Sequence, residues 1–178
     1  MTATEHVVLV DESDNFLGTA EKLAAHQQGL CHRAFSVFII RQGVRTEILL
    51  QQRAHDKYHS PGLWTNTCCS HPRADETILQ AGKRRLLEEM GIQASLQVIG
   101  KFHYIAHFDN GLTENEVDHV LLGRLTDPHF QTNPTEVAAS RWVTLDELVR
   151  EIAEQPERFT PWLKQALGIV QEYLASTA

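Results

Sequence analysis

The segment that most constrains the fold is SHPRADETILQAGKRRLLEEMGI, residues 70–92. Three apolar residues recur in it at helical spacing: Leu79, Leu86 and Met90. Gly91 supplies a helix stop, and Gly82 interrupts the apolar stripe at some cost in helix propensity. A glycine at such a position indicates close approach to another backbone. We therefore predict a helix from Ala74 to about Met90 that packs against a second structural layer.

Apolar segments of strand type lie on both sides of this helix, and two further helices follow them. The predicted strands include HRAFSVFIIR (32–41), EILLQQR (47–53), SLQVIGKFHYIAHF (95–108) and ENEVDHVLLGRL (114–125). The last two form a hairpin around DNGLT, and the later helices begin at a Thr144–Glu147 capping box and at Thr160-Pro161. This order predicts an α/β (α+β) fold, a single domain in which a mixed β-sheet lies between helices.

The composition excludes several function classes. A net charge of −7 argues against nonspecific nucleic-acid binding. No apolar run approaches the roughly 20 residues that span a bilayer, and the N-terminus does not resemble a secretory signal. Three cysteines are an odd count in a chain too long to need disulfides, which indicates reduced thiols. We expect a cytoplasmic protein without nucleic-acid or membrane partners.

The predicted hairpin carries a row of carboxylates. Glu114 and Glu116 are two residues apart, so on a strand they point to the same face, and Asp118 continues the row. A solvated polar face is the more common explanation of such a pattern. If the turn centres on Asn110, however, Tyr104 lies opposite Glu116 and its hydroxyl can reach that carboxylate. A shift of the register by one residue would destroy this arrangement.

The segment LWTNTCCSHP contains two adjacent cysteines followed by a histidine. A bridge between neighbouring cysteines is strained, which argues against a redox pair. A zinc site shared with Cys31-His32 lacks the usual paired spacing, and two small buried thiols are the simplest alternative. On a strand, Cys68 and Cys69 face opposite sides, and His71 shares the face of Cys69.

Three histidines stand on predicted loops or near strand ends: His26, His32 and His71. Imidazole nitrogens combined with carboxylate oxygens suit a divalent ion such as Mn²⁺, Zn²⁺ or Mg²⁺. Their spacing does not match a helical metal motif, so the residues alone leave open whether each histidine binds a metal or lies in the surface or the core.

The segment 70–92 resembles the Nudix box, G-x5-E-x7-R-E-U-x-E-E-x-G-U, in which U is aliphatic. Ser70 stands at the first glycine position, and seven later positions match: Glu76, Arg84, Leu86, Glu88, Glu89, Gly91 and Ile92. The resemblance implies a Nudix fold, whose hydrolases gather divalent ions on a diphosphate with the box glutamates. Arg85 replaces one of those glutamates by a fixed cation, which favours holding a diphosphate over cleaving it.

The chain as a whole resembles the type I isopentenyl-diphosphate isomerase family. Six pieces carry the resemblance in the family's order: EKLAAH, HRAFSVFI, PGLWTNTCCSHP, the altered box, ENEVDHV and TPW. It implies catalytic roles for Cys69 and Glu116, with Tyr104 beside Glu116. It implies a divalent ion (Mn²⁺, Zn²⁺ or Mg²⁺) held by His26, His32, His71, Glu114 and Glu116. It also implies Mg²⁺ at Glu89, diphosphate binding by Lys22, Arg53, Lys57 and Arg85, and Trp162 over the hydrocarbon end.

The implied reaction is the metal-dependent interconversion of isopentenyl diphosphate and dimethylallyl diphosphate in isoprenoid biosynthesis, through a tertiary carbocation. Whether Cys69 or Glu116 donates the proton stays open. The enzyme alternative is a Nudix hydrolase of a nucleoside diphosphate derivative, which Glu76, Glu88 and Glu89 would support. The non-enzyme alternative is a metal-dependent binding module.

We expect the chain to form one catalytic domain over residues 1–178. An N-terminal extension of about residues 1–29 would contribute one metal ligand, a Nudix core would span about 30–154, and a C-terminal helix would span about 160–176. We expect the protein to act on its small-molecule substrate as a monomer.

Overall fold

Nine strands and four α-helices make up residues 4–178, the part of the chain that the computed structural model describes. The strands are β1 (His6–Val10), β2 (Phe16–Glu21), β3 (His32–Gln42), β4 (Thr46–Arg53), β5 (Trp64–Thr65), β6 (Cys68–Ser70), β7 (Leu96–His107), β8 (Thr113–Arg124) and β9 (Val137–Thr144). The helices are α1 (Lys22–Gln28), α2 (Ile78–Met90), α3 (Leu145–Glu154) and α4 (Leu163–Ser176). The first three residues of the expected N-terminal extension lie outside the described residues.

The strands form one mixed sheet around β3, the strand with the largest number of neighbours. β3 is parallel to β8 and antiparallel to β1, β4 and β6. β2 pairs with β1, β5 and β9 pair with β4, and β7 pairs with the outer side of β8. The parallel pairing of β3 with β8 places His32, the first residue of β3, directly beside Glu116. The predicted mixed sheet is confirmed.

The core lies on both faces of this sheet because successive residues of a strand point to opposite sides. On β3, Phe38 and Ile40 belong to a cluster that includes residues of α3 and α4. Val37 and Ile39 belong to the cluster on the other face, which α2 covers. The sheet therefore lies between helices, as the sequence predicts.

Helix α2 begins at Ile78, so the predicted start at Ala74 is wrong by four residues. The reason is a capping box in which the Thr77 hydroxyl accepts from the Gln80 amide, while the Gln80 side chain accepts from the Thr77 amide. The helix ends as predicted at Gly91, which has a left-handed φ of 67°. The Thr144–Glu147 capping box and the end of α3 at Glu154 are also confirmed.

Gly82 does mark a close approach, although its neighbours are side chains and not a backbone. A Cβ at this position would lie 2.5 Å from Cδ1 of Leu121 and 3.3 Å from Cδ1 of Leu96. The missing side chain therefore lets α2 lie close to β7 and β8. None of the helices within residues 4–178 is both long and apolar enough to cross a membrane.

The hairpin of β7 and β8 has the register that the carboxylate argument requires. Tyr104 pairs with Glu116, as a turn centred on Asn110 predicts. A register shift between Val98 and Gly100 leaves the end that carries the carboxylates unaffected. The segment LWTNTCCS forms two short strands, β5 and β6, which Asn66-Thr67 separates.

Two glycines with positive φ offer a matched test of what ends α2. Gly91→Ala should lower the unfolding free energy by about 3 kcal/mol, since a left-handed alanine is strained and its Cβ meets the backbone of Gln131. Gly111→Ala, at φ 81° in open space, should lose about 1 kcal/mol from strain alone. Urea denaturation measures both, and equal losses would contradict the close contact at Gly91.

Candidate active site

One cavity, on the face of the sheet that Cys69 and the β8 carboxylates share, brings together nearly all the predicted site residues. Its lining includes Lys22, Arg53, Lys57, Cys69, His71, Arg85, Glu89, Tyr104, Glu114, Glu116 and Trp162. His26 and His32 are fully buried behind it, with ring centroids 5.8 Å and 5.0 Å from that of His71. A wider open groove of about 980 Å³ runs beside α2 and β7 and contains none of these residues. The cavity with the predicted residues is therefore the candidate site.

Three carboxylates on β8 point into this cavity. Glu114, Glu116 and Asp118 share one face of the strand, and they are only 3%, 5% and 2% exposed. The alternative of a solvated polar face is therefore wrong. Buried carboxylates need donors or cations beside them, and Asp118 has the Ser36 hydroxyl, 2.7 Å from its Oδ2.

The histidines form a triangle built from three separate elements. His26 comes from α1, His32 begins β3 and His71 follows β6, and the His26–His32 and His32–His71 centroids are each 5.0 Å apart. Nδ1 of His26 lies 2.7 Å from the Lys22 carbonyl, and Nδ1 of His32 lies 2.8 Å from that of Leu30. Since a carbonyl can only accept, both of these Nδ1 atoms carry a proton.

Two of the imidazoles converge on one carboxylate through their Nε2 atoms. Nε2 of His32 and of His71 lie 3.1 Å and 3.0 Å from Oε1 of Glu116, and Nε2 of His26 is buried without a hydrogen-bond partner among the described residues. The four residues each offer a ligand atom within 4.8 Å of the others. Imidazoles fixed by a bond from the other ring nitrogen to a carbonyl are typical of metal sites. The donor set fits a divalent ion.

Glu114 and Glu116 are joined by Tyr104. The Tyr104 hydroxyl bonds to Glu114, and it lies 3.1 Å from Oε2 of Glu116. Burial and the charge of Glu116 raise the pKa of Glu114. Burial also acts to raise the pKa of Glu116, but the bonds from His32 and His71 lower it further than burial raises it. A cation held by the histidines would lower the pKa of both carboxyl groups.

The two adjacent cysteines have different surroundings. Cys68 is fully buried in the core cluster beneath α2, whereas Cys69 lines the cavity. Sγ of Cys69 lies 3.2 Å from Nε1 of Trp162 and 3.7 Å from the Ser36 hydroxyl. Burial and the nearby charge of Asp118 raise the pKa of Cys69 to about 12, so the thiol of the free protein is protonated. The opposite orientations of the two cysteines are confirmed.

Asn66 connects the thiol to the core, and the sequence analysis gave it no role. Its amide nitrogen donates to the carbonyls of Val37 and Cys68 at 3.0 Å and 2.9 Å. Its Oδ1 accepts from Sγ of Cys69 at 3.0 Å and from Nε1 of Trp162 at 3.2 Å. The available signal was a polar residue between two short apolar segments, next to the cysteine pair.

The predicted diphosphate cations lie together at the mouth of the cavity, where carboxylates neutralise them. Lys22 pairs with Glu5 at 2.8 Å, and Lys57 pairs with Glu136. These four residues are partly or largely exposed. An anion entering here would compete with solvated surface ion pairs, which contribute little to stability.

Two arginines present unpaired donors to the same region. Nε of Arg53 and Nε of Arg85 are buried and have no hydrogen-bond partner within residues 4–178. Arg85 also binds Glu89 at 2.6 Å, and Glu89 accepts from the Gln51 amide at 3.1 Å. The Arg53 guanidinium lies 5.7 Å from the ring centroid of Trp162. Unpaired buried donors of this kind fit an anionic ligand.

His59 is a second residue that the sequence analysis did not single out. It lies on the loop between β4 and β5, and its Nε2 is 3.1 Å from Oε1 of Glu114. Glu114 thus faces His59 and Tyr104, while the other four predicted metal ligands face one another. No local spacing in the loop sequence indicates this contact, which depends on the fold.

Comparisons with known proteins agree with this geometry. The family model of the NUDIX domain matches residues 31–163. An isopentenyl-diphosphate Delta-isomerase of Photobacterium profundum is 49% identical and covers 99% of both chains. Another, from Pectobacterium atrosepticum, is 46% identical and covers 97% of this chain and 94% of its own. A crystal structure from Deinococcus radiodurans has the same fold, with a TM-score of 0.73 at 18% identity over 92% of this chain and 97% of that one.

Asn66→Ala tests whether this asparagine organises the site. The change removes five hydrogen bonds at a fully buried position. We expect the unfolding free energy to fall by about 3 kcal/mol, because the former partners of Asn66 are left buried without hydrogen bonds. Asn115→Ala, which removes bonds to His103 and the Gly29 carbonyl at a half-buried position, should lose only about 1 kcal/mol. Urea denaturation measures the unfolding free energy of both variants. Similar losses would contradict the role of Asn66 in organising the site.

Proposed function

The chain belongs to the isopentenyl-diphosphate Delta-isomerase family of NUDIX-domain proteins, and on that premise we propose that it interconverts isopentenyl diphosphate and dimethylallyl diphosphate in isoprenoid biosynthesis. One observation carries the proposal at the level of the site. The Cys69 thiol and the Glu116–Tyr104 pair line the same cavity, and Trp162 lies against both, 3.2 Å from Sγ of Cys69 and 6.3 Å between its ring centroid and that of Tyr104.

The reaction needs two proton-handling groups and a dry, cation-tolerant surface. A proton is added to the terminal methylene of the alkene, and another is removed from the neighbouring CH₂, so the double bond moves by one position. The tertiary carbocation between these steps would be trapped by water. The buried Trp162 ring suits this intermediate, since an aromatic face attracts a desolvated cation by about 2 kcal/mol.

Cys69 and Glu116 are the proposed acid and base. One donates its proton to the methylene carbon while the other accepts the proton from the CH₂ group, and the reverse reaction exchanges their roles. Tyr104 lies within hydrogen-bond reach of both Glu114 and Glu116, so it can hold the Glu116 carboxyl in place and stabilise either protonation state. The protonated thiol of the free protein supports Cys69 as a group that begins one direction of the reaction with a proton.

We propose that His26, His32, His71, Glu114 and Glu116 hold one divalent ion, either Mn²⁺, Zn²⁺ or Mg²⁺. Supporting this, four of the five offer ligand atoms within 4.8 Å of one another, with Nε2 of His32 and of His71 facing Oε1 of Glu116. Glu114 would join them through a lone pair that its contacts with His59 and Tyr104 leave free. When bound, such an ion would supply positive charge beside Glu116 and increase the acidity of that carboxyl group.

The proposed diphosphate ligands are Lys22, Arg53, Lys57 and Arg85, together with Mg²⁺ at Glu89. The buried unpaired Nε atoms of Arg53 and Arg85 support this placement. The hydrolase alternative is less well supported, because Glu76 accepts from Arg84 at 2.8 Å and 3.1 Å. A carboxylate occupied in this way is a poor candidate for gathering an ion.

We further propose that the whole chain acts as one catalytic domain and as a monomer. The N-terminal segment of about residues 1–29 would supply His26, and in the structure His26 packs against histidines of the sheet. The core would span about 30–154, and the C-terminal helix of about 160–176 would carry Trp162 near its start; in the structure Trp162 is the N-cap of α4. All three cysteines are free thiols, which supports the reducing cytoplasm as the compartment.

Replacing Cys69 tests the proposed chemistry. In Cys69→Ala, isomerisation of isopentenyl diphosphate and deuterium incorporation from D₂O should fall by about 10³-fold or more, because one proton-handling group is lost. Binding of the diphosphate in the presence of Mg²⁺ should persist. Cys68→Ser is the matched control, since that sulfur lies in the core, and its turnover should stay close to that of the original chain.

Near-normal turnover of Cys69→Ala would reject the role of the thiol. A hydrolase would instead release phosphate or nucleotide from a panel of nucleoside diphosphate derivatives. Release from that panel, with no isomerisation by the unmodified chain, would reject the isomerase proposal as a whole.

A further inference from the structure

His59 is a buried histidine to which the proposed reaction assigns no role. Its side chain is enclosed by aromatic rings, with centroids 5.2 Å from Phe108, 5.9 Å from His26 and 6.2 Å from Trp162. The first two rings are stacked on it and the third meets it edge-on. The packing therefore fixes the plane of the imidazole, and with it the direction in which each ring nitrogen points.

That direction brings Nε2 of His59 to 3.1 Å from Oε1 of Glu114. The two atoms form a close polar contact, and the other ring nitrogen, Nδ1, is buried without a hydrogen-bond partner among the described residues. The other oxygen of Glu114 accepts from Tyr104, so this carboxylate is held from both sides. Partners of this kind orient metal-binding carboxylates in many proteins, and their loss typically weakens the metal site.

The loop that carries His59 also carries the proposed diphosphate ligands. Lys57 precedes His59 by two residues, and the Arg53 guanidinium donates to the His59 carbonyl at 3.2 Å. Ser60, the next residue, is buried and has a φ of 49°, an unfavourable conformation for a residue with a side chain. Backbone strain of this type persists where surrounding contacts enforce it, and it is concentrated at functional sites. The loop is thus fixed in a form that turns His59 inward.

We propose that His59 is a positioning residue of the metal centre, which aims Glu114 at the ion and links that carboxylate to the loop that holds the diphosphate. The inference rests on the metal centre of the proposed function. Direct ligation is the competing role, because His26, His59 and Glu114 also offer ligand atoms within 4.8 Å of one another. His26 belongs to both groups, and its Nε2 atom can bind only one ion. The group of His26, His32, His71 and Glu116 offers four ligand atoms against three, so we place the ion there and assign His59 a positioning role.

Two substitutions separate the polar contact with Glu114 from the bulk of the ring. His59→Phe keeps an aromatic ring between its neighbours but removes the polar atom, whereas His59→Gln places an amide nitrogen near the position of Nε2. We expect the Mn²⁺ dissociation constant of the full chain, measured by chelator competition, to rise about 10- to 100-fold in His59→Phe and to stay within about threefold in His59→Gln. His55→Phe, the same change at an exposed position of the same loop, should have no effect.

The outcomes that overturn the inference are specific. Unchanged Mn²⁺ affinity in His59→Phe, in a variant whose circular dichroism shows it folded, would remove any role at the metal centre. Equal losses in His59→Phe and His59→Gln would reject the polar contact with Glu114 as the cause. Changed absorption bands of the Co²⁺-loaded His59→Gln protein would identify His59 as a ligand and reject the positioning role.

The same experiments keep this inference distinct from the proposed function. If the unmodified chain fails to isomerise isopentenyl diphosphate but loses Mn²⁺ affinity on His59→Phe, the function is wrong and the positioning role stands. If it isomerises and the affinity is unchanged, the function stands and the positioning role is wrong.

Discussion

Three carboxylates buried side by side on β8 impose the main constraint on this structure. Removing one ionised carboxylate from water costs several kcal/mol, and the repulsion among three neighbours adds to that. Each carboxylate has its own hydrogen-bond donors. They are His32 and His71 for Glu116, Tyr104 for Glu114, and Ser36 for Asp118. Positive charge at this point would stabilise the folded chain, so binding a divalent ion and folding should reinforce each other.

The thiol side of the cavity is organised differently, by neutral hydrogen bonds and packing. Asn66 is held by two backbone carbonyls and in turn holds Cys69 and Trp162. The proposed acid–base group and the proposed aromatic surface for the cation therefore share one rigid support. Such preorganisation matters for a reaction whose intermediate must be shielded from water, since misplacement of either group would open a path for solvent.

Local pattern was enough to predict some of this site, and long-range packing determined the rest. The pairing of Tyr104 with Glu116 follows from the hairpin turn and the two-residue period of a strand. The convergence of three histidines from α1, β3 and the end of β6 does not follow from any spacing, and only the family resemblance indicated it. No local pattern indicates His59 or Asn66, because their partners are distant in sequence. The helical spacing of apolar residues does not locate the first residue of α2, which the Thr77 cap determines.

The altered Nudix box explains how a scaffold built around diphosphate can serve proton chemistry. In the structure, the remaining box carboxylates are each bound by an arginine: Glu76 by Arg84, and Glu88 and Glu89 by Arg85. Carboxylates neutralised in this way attract ions less strongly, while Arg85 adds a fixed cation for phosphate oxygens. In the proposed function, the ion-binding set lies instead on β8 and the histidines, where the charge of the ion would act on the carboxyl group of Glu116. The same fold would then bind the diphosphate near Arg85 of α2 and handle protons at its sheet.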